Sequence, residues 1–391
     1  MKLTLRQQIT QFAHVLQTQL FPVLSEELGE LTEPAKRLVA TLEMIPLARF
    51  VPSSRGWIGR PSKDRLAIAS AFVAKAVYGF SLTRQLLEAL QTDVQLRRIC
   101  GWKEARQVPH ESTFSRAFDE FARMELAQFV HETLIRETQQ NRLIGHIARD
   151  STAIEARERF PGTAALSKPR QTGQRQPKKH TPPRTNQRYK GGKRTPLPPR
   201  EDTRLHRQRT MKLPEMLADL PTGCNLGAKT NSNGHVQYWR GYKLHLDVAD
   251  GQIPISAVLT SASVHDSQVA IPLATMSSQR VIYCYELMDA AYDVREIVAH
   301  VRGMNHVPIV DPANRGGRTK SEFLPKTPLK ELSWAEADRY RERTLIERVN
   351  GRLKDEFGGR QIRVRGARKV MEHLMFGILA LTADQLLRLV R

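Results

Sequence analysis

The spacing of apolar residues changes along this chain of 391 residues, and that change most constrains how the chain can fold. Up to about residue 140, apolar residues recur every three or four positions, as in 66–80, 82–91 and 111–130. This spacing is typical of amphipathic helices. After residue 141 the apolar segments are short and rich in branched and aromatic residues, which is typical of strands. We therefore predict an all-α N-terminal domain over 1–140 and an α/β domain over 141–391.

The second region alternates strand-like and helix-like segments in an order that predicts a mixed sheet with flanking helices. Three strand-like segments come first, followed by a helix, a strand, a helix, a strand and a final helix at about 334–357. The strand-like segments are, in chain order, LIGHIARDSTAI, YKLHLDVA, PISAVLTSA, VIYCYELMD and HVPIV.

The helical region fits two roles. In 111–130, Phe114, Ala117, Phe118 and Phe121 form one apolar stripe and leave polar residues on the other side. Such helices build a compact domain that can contain a DNA-binding helix-turn-helix. They also build helical bundles that never contact DNA. Apolar spacing does not separate the two, so both remain open here.

A basic, proline-rich insertion at about 158–235 separates the first two strand-like segments. Within it, residues 161–210 contain fourteen Lys and Arg, two acidic residues and eight prolines. They carry a net charge of +12, more than half of the chain's +21. Because so few apolar residues can offset the entropy of ordering, we predict a disordered arm that binds backbone phosphates. The alternative is a solvated loop without function.

The balance of charged residues favours a polyanionic partner. Lys and Arg number 61 against 40 Asp and Glu, which suits nucleic acid or an anionic membrane surface. The sequence has no run of about 18 apolar residues to span a bilayer, and its first residues lack the apolar core of a secretory signal. The three cysteines are too scattered for a disulfide framework. We expect a cytoplasmic, nucleoid-associated protein without a membrane partner.

Two aspartates lie at the ends of strand-like segments and beside small residues. Asp150 follows LIGHIAR and precedes Ser151, and Asp289 follows VIYCYELM and precedes Ala290. A carboxylate at such a position has room to hold a metal ion together with a substrate. The alternative is that each aspartate only caps a turn.

Two other aspartates are predicted to be structural. Asp293 precedes a helix-like segment that has Glu296 three residues later and Gly303 at its far end, which is the pattern of a capping box and a C-terminal glycine. Asp266 opens another helix-like segment and is also predicted to be a cap. The role of His265 beside it is left open.

A third carboxylate lies in the helix-like segment YRERTLIERVNGRLKDEF. At about 100° per residue, Tyr340, Arg343, Glu347 and Lys354 share one face, and apolar residues occupy the opposite face. Gly351 lies within the polar face, where a glycine costs on the order of 1 kcal/mol and permits close approach of a substrate. The alternative is a solvated helix with an ordinary Arg343–Glu347 pair.

Three carboxylates of this kind suit phosphodiester transfer. That reaction needs charge neutralisation on the phosphate, an activated oxygen nucleophile and help for the leaving oxygen. Two divalent ions about 3.5–4 Å apart supply all three. Mg²⁺ prefers oxygen ligands and keeps several waters. We therefore predict that Asp150, Asp289 and Glu347 are both the catalytic residues and the metal ligands.

These residues resemble the DDE transposases of bacterial insertion sequences, in the group that spans the fourth and fifth insertion-sequence families. The third motif of that family has Tyr, then Arg three residues later, Glu four further and Lys seven further. The spacing is matched by Tyr340, Arg343, Glu347 and Lys354. The stretches GYKLHLDVA and SASVHDSQ also look like this family, and the resemblance covers about residues 140–380.

The other two motifs of the family are also present. The first, Asp followed by Gly or Ser and then Thr, corresponds to Asp150-Ser151-Thr152. The second, often Asp-Lys-Gly-Tyr, corresponds to Asp289-Ala290-Ala291-Tyr292 and departs from the pattern at its two middle positions.

The resemblance implies a fold, a chemistry and a set of partners. The fold is ribonuclease-H-like, and the cofactor is Mg²⁺, with two ions expected and Mn²⁺ as a substitute. The activity is cleavage at the ends of a mobile element, followed by transfer of the 3′-hydroxyl strand. The partners are terminal inverted repeats and target DNA, bound by a homodimer. Tyr340, Arg343 and Lys354 are implied to bind DNA near the scissile phosphate.

Two alternative functions remain open on sequence grounds. A ribonuclease-H-like nuclease that hydrolyses DNA without joining it would use the same three carboxylates. A catalytically silent DNA-binding regulator of a mobile element would retain the fold without the chemistry.

Overall fold

Helices form the N-terminal part of the chain, as the apolar spacing predicts. The computed structural model describes residues 4–51, 64–158, 203–230, 235–311 and 333–390. The helices before the first strand are α1 (Leu5–Val15), α2 (Phe21–Leu28), α3 (Glu33–Met44), α4 (Arg65–Val77), α5 (Thr83–Thr92), α6 (Val94–Ile99), α7 (Glu111–Met124) and α8 (Leu126–Gln139).

Local sequence explains where several of these helices begin and end. The Asp64 carboxylate accepts hydrogen bonds from the amides of Leu66 and Ala67 and so caps the N-terminus of α4. The segment 111–130, predicted as one helix, forms two, because Glu125 adopts a left-handed conformation with φ of 52° between α7 and α8. The predicted apolar stripe of α7 is buried.

A six-stranded mixed sheet forms the second part of the chain. Its strands are β1 (Leu143–Glu155), β2 (Asn225–Thr230), β3 (Val236–Ala249), β4 (Ile253–Ser261), β5 (Ile282–Met288) and β6 (Val307–Val310). The order is β2-β3-β1-β5-β6, and β4 also pairs with β3. The β1–β3, β2–β3 and β3–β4 pairs are antiparallel, whereas β1–β5 and β5–β6 are parallel. Every strand-like segment in the sequence forms a strand.

The sequence prediction missed the regular structure between residues 203 and 230. These residues fall within the predicted insertion, yet they form α9 (Arg204–Gln208), α10 (Leu213–Ala218) and β2. Arg204 donates a 2.8 Å hydrogen bond to Asp219, and Gln208 donates one to the Gln268 carbonyl. Most of the predicted basic arm, residues 159–202, lies outside the described residues.

The remaining helices flank the sheet and close the fold. They are α11 (Ser267–Ser278), α12 (Arg295–Gly303), α13 (Trp334–Arg341), α14 (Leu345–Asp355) and α15 (Ala367–Arg388).

The predicted caps of α12 differ from those observed. Its N-cap is Val294 rather than Asp293, and the Val294 side chain makes no capping hydrogen bond. At the other end Asn305, with φ of 63°, takes the left-handed conformation that was predicted for Gly303.

The long helix α15 joins the two parts of the chain. It packs against α3, α4, α7 and α8 on one side and against β4 and α14 on the other. One hydrophobic cluster therefore runs from Ile9 to Leu387, and the core does not divide at residue 140. By length and composition α15 could cross a membrane, but 83% of its most apolar window is buried inside the fold, as in the core helix of a globular protein.

Candidate active site

The parallel pairing of β1 with β5 ends beside Asp150. The last register pair is Arg149 with Met288, whereas the antiparallel pairing of β1 with β3 continues as far as Glu155. Asp150 is thus not at the end of β1, as the sequence suggested, but in its interior, where the strand loses one neighbour. Asp289 directly follows Met288, so the two aspartates occupy neighbouring positions at this opening in the sheet.

The electrostatics of the two aspartates agree with this proximity. The pKa of Asp150 is raised to about 6, mainly by burial and in addition by the charges of Asp289 and Asp266, whereas a hydrogen bond from the Ser151 amide lowers it. Burial also raises the pKa of Asp289 above its ordinary value, although the Ala291 amide donates a 2.9 Å hydrogen bond to its carboxylate. A cation bound nearby would stabilise the charged form of such carboxylates and lower their pKa values.

The helix predicted to carry Glu347 is interrupted. A 3-10 turn over Glu342–Thr344 separates α13 from α14. Tyr340 therefore lies on α13, Arg343 in the turn, and Glu347 and Lys354 on α14. The four residues do not share the face of one continuous helix. The Arg343 guanidinium nevertheless lies 6.0 Å from the centroid of the Tyr340 ring.

Arg343 connects Glu347 with the two aspartates. Its Nη2 donates a 3.1 Å hydrogen bond to the Glu347 Oε1, and 58% of the Glu347 side chain is exposed. Burial would lower the pKa of Arg343, but Tyr340 and the charges of Asp150, Glu347 and Asp289 hold it above its ordinary value. Among the described residues, no three His, Cys, Asp or Glu side chains lie close enough together to hold a metal ion. Glu347 thus faces Arg343 and does not join the aspartates.

Two lysines add positive charge at the same opening. Lys354 of α14 and Lys229 of β2 lie close enough for the charge of Lys229 to lower the pKa of Lys354, after burial as the main cause. The charge of Lys229 also acts on Asp150 and Asp289. Lys229 was missed in the sequence because its strand lay within the predicted insertion. Beside Gly351 of α14, no described atom lies within 4 Å of where a Cβ would be.

Asp266 belongs to this site and does not cap α11 with its side chain. Its carboxylate accepts a 2.9 Å hydrogen bond from Lys243 and another from the Ser151 side chain. Burial would raise the pKa of Asp266, but His245, Lys243 and Ser151 lower it below its ordinary value. His265 performs the capping instead, because its Nδ1 accepts a 3.3 Å hydrogen bond from the Ser267 amide. Contacts between distant strands of this kind leave no local signal in the sequence.

Tyr292, the last residue of the second motif, lies beneath the aspartates. It is 1% exposed, and its hydroxyl has no hydrogen-bond partner within the described part of the chain. Burial raises its pKa far above the ordinary value, and the charges of Asp266, Asp150 and Asp289 add to the effect. The Tyr292 hydroxyl therefore stays protonated, and the side chain is a neutral group near the carboxylates.

The donor set at the opening suits a divalent cation with oxygen ligands. Asp150 and Asp289 offer carboxylate oxygens at neighbouring positions, and burial raises the pKa of both, so a bound cation would stabilise their charged forms. Mg²⁺ and Mn²⁺ are bound in proteins by such hard oxygen donors. The described residues thus provide two of the three predicted ligands side by side and the third on the adjacent helix.

Comparison with protein families identifies two matching regions. The family model described as Transposase DDE domain matches residues 146–383, which include the opening in the sheet and α14. The family model described as Transposase domain (DUF772) matches residues 26–120, within the helical part. No curated protein matches the chain.

Proposed function

The chain belongs to the transposase DDE domain family, and we propose that it cuts DNA at the ends of a mobile element and joins the freed 3′-hydroxyl to target DNA. Membership makes it an enzyme of the transposase and nuclease kind that acts on DNA. The observation that carries the finer proposal is the adjacency of Asp150 and Asp289 where the parallel pairing of β1 and β5 ends. We assign catalysis and metal binding to these aspartates and to Glu347.

The residues around the opening have different roles in the reaction. Divalent ions held by the three carboxylates would neutralise the phosphate and lower the barrier to attack by an oxygen nucleophile. Arg343 supplies a fixed guanidinium for the phosphate oxygens, and Tyr340 and Lys354 bind the flanking DNA. When a phosphate takes the guanidinium of Arg343, the hydrogen bond to Glu347 is released and that carboxylate is free to turn toward the aspartates.

Two successive displacements account for cutting and joining. In the first, a water oxygen attacks phosphorus at the element's end, the P–O3′ bond breaks, and the strand is left with a 3′-hydroxyl. In the second, that hydroxyl attacks a phosphodiester of the target, and the target's P–O3′ bond breaks. One set of carboxylates serves both steps, because the same bonds form and break at phosphorus.

The family resemblance extends the proposal to fold, cofactor and partners. We infer a ribonuclease-H-like fold for the sheet and its flanking helices, two Mg²⁺ ions replaceable by Mn²⁺, and a homodimer that pairs two element ends. The Tyr-Arg-Glu-Lys spacing supports assignment to the group spanning the fourth and fifth insertion-sequence families. We place the protein in the cytoplasm, in contact with the nucleoid.

A strand-transfer assay tests the proposal. Full-length protein is incubated with Mg²⁺, plasmid DNA and a duplex carrying the inverted repeat that flanks its gene, labelled at the 5′ end of the strand whose 3′ side is cut. We expect a labelled product joined to the plasmid. Release of labelled fragments without joining would show a nuclease, and binding without any cleavage would show a silent regulator.

The matched controls separate the proposed carboxylates from charge in general. Asp289→Asn should abolish both products. Asp355→Asn changes an exposed aspartate that pairs with Arg360 on the surface and should leave both unchanged. Joining by the Asp289→Asn variant would overturn the assignment of that residue.

A further inference from the structure

A cavity of about 320 Å³ lies where the segments matched by the two transposase family models meet. Its walls come from α4, the N-termini of α5 and α7, the connection between α14 and α15, and the first turns of α15. Cations dominate its lining: Lys75, Arg363, Arg365 and Lys369 face it, against the single carboxylate of Glu111. Positive charge thus converges on a pocket that contains none of the proposed catalytic residues.

Lys75 is the unusual member of this group. Its residue is 7% exposed, and the described part of the chain gives its ammonium no hydrogen bond or ion pair. Burial lowers its pKa to about 8, so the side chain is still mostly charged at neutral pH. Burying an unpaired ammonium opposes folding, and a bound anion would remove that cost.

The neighbours of Lys75 do not supply the missing negative charge. Lys369 pairs with Asp119 at 2.9 Å on the rim. The buried imidazole of His373 donates through Nε2 to the Gly358 carbonyl at 3.0 Å, and burial together with the charge of Lys75 lowers its pKa to about 3. His373 is therefore neutral and adds no second positive charge beside Lys75. Arg363 and Arg365 are exposed at the mouth, where they are accessible to a large ligand.

We propose that this cavity holds a backbone phosphate of the bound DNA, with Lys75 at its base and Arg363 and Arg365 at its mouth. The proposal rests on the proposed function only in taking DNA as the ligand. A phosphate oxyanion has the charge and hydrogen-bonding capacity that four cationic side chains select. Thr83, the first residue of α5, also lines the cavity and brings the positive end of a helix toward it.

Its position favours a DNA phosphate over a free one. The cavity lies beyond the end of α14, the helix that carries Glu347. From Glu347 to Asp355 the helix advances by eight residue steps, about 12 Å, which duplex DNA covers in about four base pairs. A duplex that enters the carboxylate site and continues along α14 would lead toward this cavity.

Equilibrium binding of full-length protein to a duplex, measured in EDTA at several salt concentrations, tests the proposal. Lys75→Met and Arg365→Gln should each weaken binding about tenfold, which corresponds to ~1.4 kcal/mol, and each should reduce the salt slope by about 0.9. Lys36→Met is the matched control, because Lys36 pairs with Glu33 at 3.0 Å outside the cavity. Its affinity should stay within twofold of the wild type.

Inorganic phosphate separates the two sources of the ligand. At equal ionic strength, phosphate should compete with DNA more strongly than chloride does for the wild type, and this difference should vanish in Lys75→Met. If phosphate raises the thermal midpoint of the wild type while Lys75→Met binds DNA normally, the cavity is a small-anion site and the proposal fails. Unchanged DNA affinity and slope in both variants would overturn it as well.

Two features keep this test independent of folding and of the proposed chemistry. Arg365 is exposed, so Arg365→Gln decides the matter even if Lys75→Met does not fold. Because binding is read in EDTA, loss or survival of cleavage has no influence on the result. A failed strand-transfer assay with Lys75-dependent binding intact would refute the chemistry alone.

Discussion

Arg149 donates two hydrogen bonds, each 2.8 Å long, to Asp247 on the neighbouring strand. Its third donor group reaches Glu286 at 2.7 Å, and all three side chains are fully buried. The ion pair lies one residue from Asp150 along β1. Charges buried in this way fix the relative position of three strands, because each loses its compensation if a strand shifts.

Arg149→Met should therefore destabilise the protein strongly. Removing the guanidinium leaves Asp247 and Glu286 buried without a counter-charge, and we expect a loss of about 3–5 kcal/mol in the free energy of unfolding. The control is Arg142→Gln, which breaks a partly exposed pair with Asp250 and should cost at most about 1 kcal/mol. Urea unfolding measures both, and equal losses would contradict the prediction.

Asp150→Asn should stabilise the protein at neutral pH while removing its activity. Because folding raises the Asp150 pKa from 3.8 to about 6, the charged form opposes folding above pH 6, by on the order of 3 kcal/mol. That cost disappears as the pH falls from 6 toward 3.8. The stability difference between variant and wild type, measured in EDTA, should therefore be large at pH 7.5 and small at pH 4.

Adding Mg²⁺ should reverse this order. A ligand that binds only the folded state raises its stability, so Mg²⁺ should raise the thermal midpoint of the wild type and not that of Asp150→Asn. Equal stabilities of the two proteins at pH 7.5 in EDTA would contradict the account of Asp150.

Asp150→Asn and Glu347→Gln should have non-additive effects on cleavage. If both carboxylates serve one centre, each single change should lower the cleavage rate at least about a hundredfold. The double variant should be little slower than either one. Single-turnover rates on labelled DNA measure this, and losses that multiply would show that Glu347 acts separately from Asp150.

Glu372→Gln should remove a pH dependence of stability. Glu372 is 1% exposed and accepts a 3.0 Å hydrogen bond from the Ala127 amide, and burial raises its pKa from 4.5 to about 8. Protonated Glu372 thus contributes to the free energy of unfolding. This contribution falls by about 1.4 kcal/mol per pH unit as the pH rises from 4.5 to 8. Glutamine mimics the protonated acid.

The test compares the free energy of unfolding of Glu372→Gln with that of the wild type at each pH. Its stability relative to the wild type should increase steadily between pH 5 and pH 8, because only the wild type loses this contribution. Chemical denaturation at each pH gives the difference. A constant difference over this range would mean that Glu372 is ionised in the fold.

Deleting residues 161–200 should flatten the salt dependence of DNA binding. If six to eight of the basic residues there meet phosphates, log K against log salt should lose about 5 to 7 units of slope. The deletion stops before α9, because Arg204 and Gln208 anchor that helix to Asp219 and Gln268. An unchanged slope would identify the segment as a linker.

The strands and the two aspartates are readable in the sequence because their signals are local. The apolar segments give way to small and polar residues at Asp150 and at Asp289, although β1 itself continues to Glu155. Their adjacency then follows from the parallel register of β1 and β5. The assignment of these residues as metal ligands stays a prediction.

The remaining features depend on contacts that no short window of sequence contains. β2, α9 and α10 were hidden by the basic composition on their N-terminal side, although Leu205 of α9 and Met216 of α10 provide apolar contacts. The 3-10 turn at Glu342–Thr344 carries no glycine or proline to announce it. Asp266 was predicted to be only a cap because its ion-pair partner Lys243 lies on β3, far away in the sequence.

The shared core also changes how DNA recognition can be separated from chemistry. Removing residues 1–140 would expose one side of α15, so a truncated chain would not retain the sheet domain intact. Point changes such as the exposed Arg365→Gln and Asp289→Asn separate the two properties without removing the helices that cover α15.

The packing of α15 against α3, α4, α7 and α8 has a consequence for the order of events in the cell. The ribosome synthesises those four helices more than 200 residues before α15. Until α15 has been synthesised, the hydrophobic core that they share with it is incomplete. Until α15 docks, a nascent chain therefore leaves the apolar faces of these helices exposed. The core that the helical part shares with the sheet is therefore completed only when this late helix docks.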